Sequence, residues 1–205
     1  MKVRLSMSIK DVKRQYITGI ATGLFLSGSI AEVTVKQVAE AAEIGEATAY
    51  RYFTDKKGIV LACALSLQNQ VYERFYKLTG HTGYEKLCRF YDGYLRVMRV
   101  HPEYYRFLGD FDVYMRGCGE SLTAYSDGLD LFRREFEDAY NEGIRDGSVR
   151  AIPDFDFFYY ATTHALLGLC KKLAVNESLV RQDQIVEKEN EVNKLIEVIL
   201  FYIRQ

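Results

Sequence analysis

Only two prolines, Pro102 and Pro153, interrupt a chain of 205 residues. Proline removes a backbone donor and clashes with the preceding turn, so breaks this sparse leave room for long uninterrupted helices. Apolar residues recur at three- and four-residue spacing from end to end. No segment alternates over five residues cleanly enough to read as a strand. The expected class is all-α, with about nine helices.

Caps and breakers place the elements. A first helix is expected from Ile9 to Ser27, with Val12, Tyr16, Ile20, Leu24 and Phe25 inward and Gly28-Ser29 ending it. Thr34-Val35-Lys36-Gln37 reads as a capping box, in which Thr34 accepts from the amide three residues on and Gln37 reaches back. The short helix behind it carries Val35, Val38, Ala39 and Ala42. Glu43-Ile44-Gly45 interrupts, and a third helix runs from Glu46 to about Phe53. Thr54 or Asp55 caps a long helix from Lys56 to about Leu78. The next helix spans Tyr84 to about Val100, and His101-Pro102-Glu103 starts another. After a break at Gly117-Cys118-Gly119, Ser121 caps a helix with the stripe Tyr125, Leu129, Phe132, Phe136, Tyr140 and Ile144, ended by Gly147. Pro153-Asp154 opens a helix with Phe155, Phe158, Tyr159, Thr162, Leu166, Leu169 and Leu173 in spacing. The last carries Ile185, Val192, Ile196, Ile199 and Ile203.

Composition narrows the function. At 48% hydrophobic and 27% charged residues the chain is globular, not disordered. The net charge of -1 hides an asymmetry: residues 1–60 hold nine Lys/Arg and six Asp/Glu, and the remainder eighteen and twenty-two. A weakly basic N-terminus on a weakly acidic body fits a small nucleic-acid reader on a platform. Cys63, Cys88, Cys118 and Cys170 form no C-x-x-C pair and no Cys/His cluster, so no metal and no cofactor are expected. They read as reduced, mostly buried thiols. The start MKVRLSMSIK lacks a signal peptide's apolar stretch, and no run reaches the ~18–20 apolar residues of a membrane span. A cytoplasmic protein is expected. Without a catalytic serine motif, a phosphate loop or a metal cluster, no enzyme is expected.

Residues 34–56, TVKQVAEAAEIGEATAYRYFTDK, are the informative stretch. A capped short helix, a three-residue turn and a second short helix form a helix-turn-helix. Ala39 lets the helices cross closely. Val38, Ala42, Ile44, Ala49 and Tyr52 fill the angle between them. The second helix then offers its N-terminal face to a major groove ~12 Å wide.

Here the sequence resembles the TetR/AcrR family of transcriptional regulators. The resemblance runs from Ala21, Leu24 and Phe25 through Thr34-Val35, Val38-Ala39 and Ala42. It is densest in Thr48-Ala49-Tyr50-Arg51-Tyr52-Phe53 with Asp55-Lys56. It implies a DNA-binding domain over 8–55 and a helical sensing and dimerisation domain over 56–205. By family position and residue chemistry, Thr34, Tyr50 and Lys56 are expected on phosphates. Gln37, Ala47, Thr48 and Arg51 are expected at base edges, Arg51 pairing with guanine and Ala47 meeting a thymine methyl. Three positions depart from the pattern. Ser29 replaces a usual glycine. Glu43 stands at a turn position that calls for positive φ, at a cost of about 1 kcal/mol. Glu46 stands where a Lys or small polar residue is frequent, so it faces a cytosine N4 or stays out of the groove.

The resemblance further implies a homodimer on pseudo-palindromic operator DNA, paired through helices near 154–174 and 185–204. The last of these has a roughly heptad seam at 185, 192 and 199 and at 196 and 203. It implies a repressor released when an unknown small molecule binds the body. Twenty-three of the 28 aromatics lie after residue 60. Tyr72, Phe90, Tyr94, Tyr105, Phe111, Phe132 and Phe136 are candidate pocket walls, or core. His164 is a pocket residue or a satisfied core residue, while His81 and His101 are read as structural. The competing reading is a helical protein-binding adaptor without DNA function.

Overall fold

A computed structural model describes residues 8–117, 122–175 and 181–205. Among them are nine α-helices: α1 (Ile9–Ser27), α2 (Val35–Ala41), α3 (Glu46–Tyr52), α4 (Lys56–Val71), α5 (Gly83–Val100), α6 (Pro102–Tyr114), α7 (Thr123–Asp146), α8 (Phe155–Leu173) and α9 (Lys188–Ile203). No strand occurs among the described residues; Val149 and Arg204 make one isolated bridge. The expected break at Cys118 and cap at Ser121 lie outside them.

Local chemistry sets most helix ends. Thr34 and Gln37 form the expected box: Gln37 N–H donates to Thr34 Oγ1 at 3.2 Å, and Thr34 N–H to Gln37 Oε1 at 2.7 Å. Asp55, not Thr54, caps α4 through Gly58 N–H at 2.8 Å. Asp154 caps α8, Pro102 opens α6, and Gly147 closes α7 at φ 74°. A box at Ser8 and Asp11 caps α1 as well. The α4 helix stops at Val71, short of the expected Leu78. The chain continues as a wider π-type turn, Tyr72–Tyr76, that buries the consecutive residues Phe75 and Tyr76.

Three stripes differ from expectation. On α1 the buried face is Ile17, Thr18, Ala21, Thr22 and Phe25, whereas Val12 and Tyr16 are each 53% exposed. Thr18 and Thr22 tolerate burial because each hydroxyl donates to the carbonyl four residues back, at 2.9 and 2.8 Å. On α7, Phe136 and Tyr140 are buried but Leu129 and Ile144 are exposed. On α9, Val192, Ile196, Ile199 and Ile203 are buried inside the protomer. They face its own α5 and α8, so they are not a seam open to a second chain. Ile185 lies before the helix and is exposed.

The α5 helix is the axis of the body, packed by α6, α7, α8 and α9. It meets α7 most closely where Gly83 and Gly143 cross. A Cβ on Gly83 would lie 2.0 Å from the Gly143 nitrogen, so the approach requires glycine. The three N-terminal helices pack on Ile17, Phe25, Val38, Ala39, Ala49 and Phe53, part of one continuous core, and α1 rests on α4 and α6. Cys63 and Cys170 are buried, and burial pushes both thiols up to about 12, so they stay protonated and unreactive.

Candidate nucleic-acid interface and body cavity

The turn between α2 and α3 is where the sequence is most unusual. Glu43 adopts φ 53°, the only positive φ outside glycine among the described residues. Glu43 N–H donates to Glu40 O at 3.1 Å and Ile44 N–H to Ala39 O at 3.0 Å. These two bonds are a Schellman cap, in which the left-handed residue is normally glycine. The cap turns the chain sharply, and Gly45 then starts α3.

Ala49 anchors α3 at 0% exposure, while Glu46, Ala47, Tyr50 and Arg51 on its other side are exposed. Thr48 is half-buried. Phe53, just beyond, is core, and Tyr52 packs against it. Arg51 lies over the Tyr52 ring at 5.7 Å, which steadies its guanidinium beside the open face.

Other predicted residues are already engaged. The Thr34 hydroxyl donates to Gln37 Oε1 at 3.0 Å. Gln37 thus spends its oxygen on the cap and keeps its amide NH2. Lys56 Nζ donates to Ala31 O at 3.1 Å and lies over the Tyr114 ring at 5.2 Å, and partial burial lowers its pKa. Sequence reasoning missed Arg14. Its Nη1 donates to Tyr52 O at 3.3 Å, at the C-terminal end of α3, and its guanidinium lies over Phe53 at 4.7 Å. A cation there complements the helix dipole. With the partners 38 positions apart, only its basic type on α1 gave any signal.

In the body a cavity of about 280 Å³ lies between α5, α6, α7 and α8. Phe90, Tyr94, Tyr105, Phe132 and His164 line it; Tyr72, Phe111 and Phe136 do not. Tyr72 packs edge-on to Phe132 and donates to Glu135 at 2.8 Å. Phe111 lies against Phe107 and Tyr125, and Phe136 is sealed among Phe90, Tyr91 and Tyr159. These three rings support the wall from behind. His164 is exposed at the cavity mouth, its ring tilted against Tyr160 at 5.7 Å, and is not core. His101 starts α6 between Arg74 and Glu103, at 2.9 and 3.1 Å. No group of three or more potential metal ligands occurs among the described residues, and none of their helices is long and apolar enough to cross a membrane.

Residues 17–63 match the family model for bacterial regulatory proteins of the tetR family. No curated protein sequence matches the chain. Solved structures share its fold over nearly their whole length. One is a protein of Mesorhizobium loti assigned to the TetR-family transcriptional regulators, at 15% identity and TM-score 0.68, covering 97% of this chain and 100% of its own. FadR of Bacillus subtilis in complex with stearoyl-CoA is similar at 17% identity and TM-score 0.66, covering 91% and 97%. The ketosteroid transcriptional regulator KstR2 of Mycobacterium tuberculosis is similar at 17% and 0.58, covering 94% and 95%. Over residues 17–63, then, the chain is similar to the tetR family of bacterial regulatory proteins, and through the rest of its length it shares the fold of solved TetR-family transcriptional regulators.

Proposed function

We propose that the chain is a repressor that binds a pseudo-palindromic operator as a homodimer and leaves it when a small molecule enters the body cavity. The observation that carries the DNA reading is α3 itself, held by a fully buried Ala49 with Ala47, Tyr50 and Arg51 outward. In this reading residues 8–55 read DNA and residues 56–205 sense and dimerise. Gln37, Ala47, Thr48 and Arg51 meet base edges, and Glu46 meets a cytosine N4 or turns aside. Thr34, Tyr50 and Lys56 meet phosphates. Lys56 has three donors and Ala31 takes one, so two remain for an oxyanion. Arg14 holds α3 at its far end.

Two helices leave apolar side chains uncovered in the protomer: Phe157 and Tyr160 on α8, Val198, Phe201 and Tyr202 on α9, with Phe201 85% exposed. Exposed apolar residues grouped this way mark an interface. They supply the dimer contact that the buried α9 stripe does not.

Release follows from α6. Tyr104, Tyr105 and Leu108 of α6 line the cavity. On the same helix Arg106 donates to Leu26 O, and Asp110 accepts from Ile30 N–H at 3.3 Å. Both partners belong to the end of α1 and the loop after it. A ligand that moves α6 therefore moves the reader, provided it prefers the released arrangement.

Selection of bound duplexes from a random library tests the reading. A palindromic consensus is expected, with affinity falling steeply as salt rises. Arg51→Ala should lose about 1–3 kcal/mol per half-site and relax one base position. Recovery of no consensus, with salt-insensitive binding, would overturn it.

A further inference from the structure

Several of the body's tyrosine hydroxyls are partnered: Tyr72 with Glu135, Tyr91 with Thr162 at 2.9 Å, Tyr140 with Ile152 N–H at 2.8 Å and, in the cavity wall itself, Tyr105 with Tyr94 O at 3.1 Å. At the cavity, Tyr76, Tyr94 and Tyr104 are buried with rings in its wall, yet their hydroxyls make no hydrogen bond among the described residues. Among the described residues the one side-chain polar atom both sealed and unpaired is Arg96 Nε, so the three phenol oxygens are not sealed in the core but accessible, and free to pair with an occupant of the cavity. Burial holds these phenols far above their ordinary pKa, so they meet that occupant as neutral groups.

Among the described residues that line the cavity, Arg133 is the one Lys or Arg. Arg133 stands at the mouth and already donates to Glu137 at 3.0 Å and Asp156 at 2.6 Å. A carboxylate head drawn deep would be desolvated without a counter-charge. The wall itself is mostly aromatic, its rings set edge to face: Tyr76 meets Phe132 at 4.8 Å and Phe90 at 5.2 Å. Such walls fit flat rings. The volume lies just below the ~300–1,000 Å³ usual for ligand sites.

We infer that the effector is a small, flat, uncharged aromatic or fused-ring molecule whose carbonyl or hydroxyl oxygen enters first and hydrogen-bonds the Tyr76, Tyr94 and Tyr104 phenols. This rests on the proposed sensing role of the body. Calorimetric titration of the full-length protein with 2-acetylnaphthalene, 2-ethylnaphthalene, 2-naphthoate and decanoate tests it. Acetylnaphthalene should bind about tenfold tighter than ethylnaphthalene, the ratio one net hydrogen bond carries, and tighter than either acid. Tyr76→Phe, Tyr94→Phe and Tyr104→Phe together should bring the acetyl/ethyl ratio near one while ethylnaphthalene still binds, with folding checked by circular dichroism. Equal binding of acetyl- and ethylnaphthalene by the unaltered protein overturns the proposal, whatever the variants do. So does preference for decanoate or naphthoate, or binding of none of the four. Operator affinity in the same solutions separates the two ideas. A naphthalene that binds with the expected preference yet leaves operator affinity unchanged overturns release while the ligand class stands.

Discussion

The N-terminal three helices and the body are packed on different principles. The reader buries a set of small residues, Ala21, Ala39, Ala42 and Ala49, beside a few larger ones such as Ile17, Phe25 and Phe53. The body is built from large rings around α5 and keeps a cavity at its centre. A small-residue crossing fixes one angle between helices, as an element that must match the groove of a rigid duplex requires. A ring-lined core with free volume leaves its side chains more room to rearrange, which the proposed sensing role would use.

The largest effect that probes this contrast is Phe136→Ala. Phe136 is fully buried behind the cavity wall, so truncation should cost about 3–5 kcal/mol in urea unfolding. A cost under ~1 kcal/mol would mean that the body is slack throughout and not only at its cavity. Next is Ala49→Leu in the reader, expected to lose about 1–3 kcal/mol through overpacking and to abolish operator binding by displacing α3. Leu129→Phe, a similar enlargement at the exposed cavity mouth, should stay within ~0.5 kcal/mol. Equal costs for these two would break the comparison. The smallest effect is at the turn. Glu43→Gly removes the strain of φ 53° and should stabilise by about 0.5–1 kcal/mol in thermal unfolding, with operator affinity unchanged. Loss of affinity would give Glu43 a contact of its own.

Short-range chemistry was legible. The Thr34–Gln37 box, the Asp154 cap, the Gly147 terminus and the positive φ of Glu43 each involve residues within a few positions, so the order of residue types suffices. The exposed side of α3 followed from the same local pattern. Periodicity gave less. On α1 an apolar count selects Val12 and Tyr16, because it cannot credit Thr18 and Thr22 with burying hydroxyls that their own helix satisfies. On α9 it found the right stripe but not the neighbour that covers it. Among the candidate cavity aromatics, spacing put Phe90 and Phe136 on inner faces alike, though one lines the space and the other backs it.

The sequence by itself determined the helical class, most helix ends and the helix-turn-helix, since each depends on backbone preferences and contacts within one or two turns. Tertiary structure alone decided which face of α1 and α9 is inner, that Arg14 reaches Tyr52, that Lys56 sits between Ala31 and Tyr114, and which tyrosines lack partners around a shared space. Those outcomes depend on atoms far apart in the chain, brought together only when helices choose their crossings, and no local pattern encodes that choice.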